Sequence, residues 1–403
     1  MTYSWQRLLV ILGLVIIPFY EIFLHTLPLV RSVSPDSRVN KEIIALVFSL
    51  SIGLLAVFQG TLKPFNNKYF LLIPVYLLFN LIMSPHADLF INNNEVGDFY
   101  FWKPFAIVLC FSLMIIAVAS MEIKFEEILK VMVICATIMS IYVILQKFGF
   151  DQFWMPKGNI GGSNGNVFTA VRAEALGGNL GQPTIVSCWI IMMVPLGMYL
   201  KKYWMVALMV VACVLTQGAV VISSLLIIWL ISVFYLYKEL RIVIITFLLL
   251  SVIIIAFNKN IQSRIINRMD GRWAVWTDIA SDLHNGQIKD GMNMSITGAG
   301  FGRFGFTFPD RHHSVFHEAH NDPYQFMYDC GFIGELLLLG GVFLMIHTAW
   351  MNLSPICLSI LLSFIAVFLC SLGTFPFQLG AHQFYASVLV GLLHNRKLLG
   401  GLK

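Results

Sequence analysis

Five arginines and five histidines crowd into one polar stretch of this chain, from about Asn258 to Asp322. The arginines are Arg264, Arg268, Arg272, Arg303 and Arg311. The histidines are His284, His312, His313, His317 and His320, half of the ten in the chain. A fixed guanidinium is a bidentate ligand for phosphate. An imidazole titrates near neutral pH and serves as a general base. Together these groups suit a reaction that bonds an anion and removes a proton.

Four local patterns carry the chemistry. Gly271-Arg272-Trp273-Ala274-Val275-Trp276 opens an amphipathic helix running to about Leu283, with Arg272 and Trp276 four apart on one face. Read alone, Arg272 is an interfacial arginine that snorkels to water. Gly298-Ala299-Gly300-Phe301-Gly302-Arg303-Phe304-Gly305 lets backbone approach a ligand or another helix. No strand-turn-helix unit surrounds it, so it is no dinucleotide fingerprint. His317-Glu318-Ala319-His320-Asn321-Asp322 places two histidines three apart, not the four of a zinc helix, and no metal site is expected. The fourth pattern runs from Arg172 through Gly177-Gly178-Asn179-Leu180-Gly181-Gln182 to Pro183, which fits the first turn of a helix.

The surroundings are hydrocarbon. Mean hydropathy is +0.80, and charged residues make up 12%, against about 25% in a soluble domain. Long repeated apolar runs predict an all-α, polytopic helical membrane protein of twelve spans. They cover 8–25, 42–58, 69–83, 104–119, 128–147, 183–200, 203–216, 219–236, 241–257, 324–346, 354–371 and 379–394. The pair 203–236 reads either as two spans broken at Gln217-Gly218 or as one long helix. The chain divides into 1–257, with about nine spans and outward loops at 84–102 and 148–182; a polar catalytic loop, 258–323; and the C-terminal spans, 324–403.

The first run, Leu8 to Phe23, lacks a small-residue cleavage site and is expected to be a retained helix. The run Gly158–Asn166 reads as a loop and not a phosphate cradle. The seven cysteines show no paired spacing or metal pattern and read as small apolar core residues. Glu21 sits in the first span and Glu335 near the start of the tenth, each a functional group or a helix-packing residue. The formal charge of +5 points to neither nucleic acid nor an acidic soluble partner.

Taken in order, these motifs resemble the O-antigen ligase and O-antigen polymerase superfamily, which includes bacterial protein O-oligosaccharyltransferases. The likeness runs in detail from Arg172 to Leu338. Its most specific piece is His320-Asn321 followed by Gly331-Phe332-Ile333-Gly334. The resemblance implies an inner-membrane glycosyltransferase acting on the periplasmic side. Its donor would be an undecaprenyl-diphosphate-linked glycan. Its acceptor would be a hydroxyl of a glycan, of lipid A-core or of a protein, and membrane lipid would surround it. No cofactor is implied. The family's catalytic histidine and loop arginine map onto His320 and Arg272. Asn321, His317, Arg172, Arg268 and Arg264 are the accompanying substrate-binding candidates. Where many relatives carry Ser-Arg-Gly, this chain reads Thr216-Gln217-Gly218-Ala219. Gln217 brings no charge there, and Arg172, Arg264 or Arg268 would substitute. The alternative reading is a secondary transporter or exporter of a polar or lipid-linked solute. A non-catalytic scaffold has no need of the Arg and His groups.

Basic residues mark cytoplasmic loops. Arg7, Lys63, Lys68, Lys124, Lys201, Lys202, Lys238, Arg241, Arg396 and Lys397 put both chain ends inside and the long loops outside. A periplasm-active reporter fused after Lys403 should therefore be inactive, and one inserted near Asn285 active. The reverse pattern would overturn the orientation.

Overall fold

An apolar helix can carry a buried hydroxyl where the hydroxyl finds a hydrogen-bond partner, most simply a carbonyl one turn back. This chain follows that rule. Thr137 donates to the Val133 carbonyl at 2.8 Å, Ser140 to Ala136, Ser224 to Val220 and Ser363 to Ser359. The computed structural model describes residues 3–26, 37–60, 95–121, 125–148, 183–216, 218–236, 259–285, 294–299, 304, 308, 312, 319–351, 354–374 and 376–395. Among these the fold is all-α, without a strand.

In chain order the helices are α1 Tyr3–Thr26, α2 Ser37–Phe58, α3 Glu95–Ser120, α4 Phe125–Lys147, α5 Pro183–Ile191, α6 Val194–Tyr199, α7 Tyr203–Leu215 and α8 Ala219–Leu236. Then come α9 Lys259–Asn285, α10 Met294–Thr297, α11 Asp322–Met351, α12 Pro355–Ser371, a 3-10 turn Pro376–Gln378, and α13 Gly380–Leu393. Two of them are long and apolar enough to cross a bilayer, Phe125–Lys147 and Asp322–Leu344, and eight shorter apolar helices accompany them. The expected spans 69–83 and 241–257 lie outside the described residues.

Several boundaries differ from expectation. The run 183–200 is two helices, α5 and α6, parted at Met192-Met193. The run 203–236 is two helices, α7 and α8, ending the ambiguity there. The loop 84–102 is shorter, because α3 begins at Glu95. The amphipathic helix begins at Lys259, not Gly271. Hydropathy cannot see these last two starts, since both helices begin with polar turns.

One large core joins α1 to α8 with α12 and α13. Trp189 of α5 meets Tyr385 of α13 edge-on, with ring centroids 4.9 Å apart. Asn395, just beyond α13, donates to the carbonyls of Val118 and Met121. Arg7 of α1 pairs with Glu127 of α4. Much of the outer surface is also apolar. Ile134, Ile138, Ile141 and Leu145 form an exposed stripe on α4, and Phe332, Leu336, Leu339 and Phe343 another on α11.

A second, smaller core lies under the polar stretch: Val275, Ile279 and Leu283 of α9, with Ala299, Phe304, Phe308, Ala319 and Tyr328. A spacing of four puts the three α9 residues on one face. Two glycines join this layer to α11. Gly331 bends α11 at φ 65°, ψ −171°, a region that essentially glycine alone occupies. A Cβ on Gly331 would lie 2.3 Å from the Ile296 carbonyl oxygen, and one on Gly298 would lie 2.3 Å from that of Asp329. The Ala299 N–H donates to the Tyr328 carbonyl at 2.7 Å across the same crossing. The glycine motif at Gly298 thus serves approach to another helix.

Gly331→Ala should destabilise the protein by about 2 kcal/mol or more, from the backbone conformation and the clash together. Gly340, with nothing within 4 Å of its would-be Cβ, is the control. Thermal unfolding in detergent should show a large loss for Gly331→Ala and little change for Gly340→Ala.

Candidate active site

A helix leaves its last carbonyls without intrahelical partners. At the end of α12 these include the carbonyls of Leu372 and Gly373. Each is taken by a residue from the polar stretch. Asn321 Nδ2 donates to the Leu372 oxygen at 3.0 Å. Arg272, from α9, donates through Nη1 to the Gly373 oxygen at 2.7 Å. Asp322, fully buried, accepts from the Phe377 backbone N–H at 2.9 Å. The α12–α13 turn is therefore clasped at three points, by Arg272 of α9 and by Asn321 and Asp322, the two residues that follow His320.

Asn321 is also the N-cap of α11. Its Oδ1 accepts from the Tyr324 N–H at 3.2 Å, and its own carbonyl takes the first helical bond, from Gln325. Both ends of its carboxamide are engaged within the protein. His320, one residue earlier, has φ 53°. That left-handed conformation is uncommon for a residue other than glycine. Its neighbour Ala319 is buried and held on both sides. The Ala319 carbonyl accepts from Trp276 Nε1 at 2.8 Å, and its N–H donates to Gln325 Oε1 at 3.0 Å. The Trp276 ring stacks on Tyr324, with centroids 5.9 Å apart and 12° between planes.

The outer layer braces this assembly. Asp329 accepts from the Phe304 N–H at 2.8 Å. Phe304, Phe308 and Tyr328 pack as a ring cluster, with Phe304 and Phe308 stacked at 4.7 Å. His312 lies against Phe308 and approaches Asp282 Oδ2 to 2.8 Å through Nε2. His312 therefore ties the loop to α9.

The electrostatics follow from the placement. Burial, and then the neighbouring Arg272 charge, push the His320 pKa down to about 4. The ring is therefore neutral at pH 7. Burial also lowers the Arg272 pKa from its ordinary value, and the guanidinium remains charged. A neutral imidazole beside a partly desolvated cation can accept a proton from a hydroxyl while the cation faces a developing anion.

Of the sequence candidates, the structure brings Arg272, His320 and Asn321 together around one turn. Arg264 and Arg268 lie earlier on α9, at helical register with Arg272. Arg172, Gln217 and His317 lie outside the described residues. Asp322, Gln325 and the turn carbonyls join the site without standing out in the residue spacing. An acidic residue in the first turn of α11 was a visible signal for Asp322, but its partner is 55 residues away. No protein-family model matches the chain, and no curated protein matches it.

The His320 ring should titrate near pH 4 by NMR, well below an ordinary histidine. Because the folded pKa lies below the unfolded one, His320 contributes stability above the unfolded value and loses it as pH falls through the folded one. Arg272→Gln should raise the midpoint only part of the way, since burial is the larger cause. A midpoint that stays at about 6.5 in the unmutated protein would contradict this placement.

Proposed function

We propose that this protein is a membrane glycosyltransferase. It moves a glycan from undecaprenyl diphosphate to an acceptor hydroxyl on the periplasmic side, in the manner of O-antigen ligases and polymerases. One observation carries the reading. Arg272 and Asn321, from two motifs 49 positions apart in sequence (272 and 321), bond adjacent carbonyls of one turn, with His320 between them in the chain and feeling the Arg272 charge. The exposed apolar stripes on α4 and α11 support placement in a bilayer, and the twelve expected spans belong to this proposal.

The chemistry is a displacement. The acceptor O–H gives its proton to the neutral His320 ring as its oxygen bonds to the anomeric carbon. The bond from that carbon to the diphosphate oxygen breaks, and its electron pair leaves with the diphosphate. Arg272 faces the charge that develops there. Arg264 and Arg268, on the same helix, are further candidates to bind the donor. The acceptor is a glycan, lipid A-core or protein hydroxyl. No metal ion or cofactor takes part in this scheme.

A transport reading is favoured by one observation. Glu335, in the apolar part of α11, is buried, and its Oε2 has no hydrogen-bond partner among the described residues. Carboxylates in such places often serve ion or solute passage.

Proteoliposomes with purified undecaprenyl-diphosphate-linked glycan separate the two readings. His320→Ala should lower transfer by about two to four orders of magnitude. Arg272→Lys should not restore full activity, because a point charge cannot replace a planar fork. His317→Ala should be milder, a chelator should have no effect, and Glu335→Gln should leave transfer intact. Near-normal transfer by His320→Ala would overturn the base assignment. Loss with Glu335→Gln alone would favour transport.

A further inference from the structure

We propose that Trp276 and Gln325 are positioning residues that fix the His320 ring for proton transfer. The assignment rests on the reading of His320 as the base. Neither side chain needs to touch the reacting atoms. Each acts on Ala319, the residue whose peptide leads directly into His320.

His320 occupies the left-handed region at φ 53°, which a non-glycine residue holds only where its surroundings over-determine it. Left alone, the chain would relax by rotating about the bonds that flank the Ala319–His320 peptide, and the imidazole would swing with it. Two bonds oppose that rotation. Trp276 Nε1 donates to the Ala319 carbonyl at 2.8 Å, the oxygen of that same peptide. Gln325 Oε1 accepts from the Ala319 N–H at 3.0 Å, on the other side of the residue. Ala319 is 1% exposed, so water cannot easily replace either partner. Downstream, Asn321 is fixed by its cap and by the Leu372 carbonyl.

The two residues are themselves braced. Trp276 stacks on Tyr324, whose N–H bonds Asn321 Oδ1. Gln325 follows Tyr324 on α11, and its N–H donates to the Asn321 carbonyl. The brace is thus a closed circuit through α9, the Ala319–Asn321 segment and the first turn of α11. A reactive group displaced by as little as an ångström loses rate steeply while substrate still binds. Loosening the circuit should therefore act on kcat and not on KM.

Trp276→Phe removes the indole N–H but keeps a ring over Tyr324. Gln325→Leu removes the acceptor, and Gln325→Glu restores one. In proteoliposomes with undecaprenyl-diphosphate-linked glycan, both removals should lower kcat roughly 10- to 100-fold, with donor KM within about twofold. Gln325→Glu should recover most of the rate. The His320 ring resonance, assigned by its disappearance in His320→Ala, should shift in both removals while that of His312 stays in place. Unchanged kcat with an unmoved His320 resonance would overturn the assignment, as would equal losses in Gln325→Leu and Gln325→Glu. Normal transfer by His320→Ala would remove the base reading, while the resonance shifts would still report the brace.

Discussion

Two carbonyl oxygens at the C-terminal end of α12 govern how this molecule is put together. They cannot bond within their helix, and leaving them bare in an apolar setting costs about 1–3 kcal/mol each. Arg272 and Asn321 meet that demand. A cation at a helix C-terminus also complements the helix dipole, worth up to about 2 kcal/mol where partly buried. The polar stretch is pulled onto the apolar bundle because the bundle needs donors. His320 lies at the point of attachment, and its burial and its nearness to Arg272 are consequences of that need.

The same constraint explains the division of labour along α11. Its first turns are polar in function: Asn321 caps, Asp322 holds the Phe377 N–H, Gln325 holds Ala319, and Asp329 holds Phe304. Beyond Gly331 the helix turns to Phe332, Leu336, Leu339 and Phe343 on its outer side. A single element thus fixes the candidate base at one end and presents an apolar surface at the other.

What could be read from the sequence was local. Apolar runs located α4, α12 and α13 to within a few residues, because burial in a helix imposes length and hydropathy together. Pro183 marked the start of α5 correctly. Arg272 and Trp276 share a face of α9 as their spacing requires, and the His-Asn pair stands at the start of α11. The rest was not legible for physical reasons. A hydropathy window averages over the single backbone torsion that bends α11 at Gly331. The partners of Arg272 and Asn321 are backbone oxygens, which no side-chain pattern announces. The Trp276–Ala319 and Gln325–Ala319 bonds end on backbone atoms too.

The break at Gly331 has a mechanical meaning. A helix running unbroken from Asn321 through the apolar segment would be one rigid lever. Bilayers of different thickness tilt such segments to match their apolar length, and a lever would carry each tilt to His320. Here the first piece, Asp322–Cys330, is locked by the glycine crossing at Gly298 and by the Ala299–Tyr328 bond. The apolar piece, from Phe332 onward, takes its direction from the Gly331 torsion, which only a residue without a Cβ holds at this close crossing. In the proposed bilayer setting, the Gly331 torsion therefore lets the apolar segment leave at its own angle from a start that the crossing already fixes.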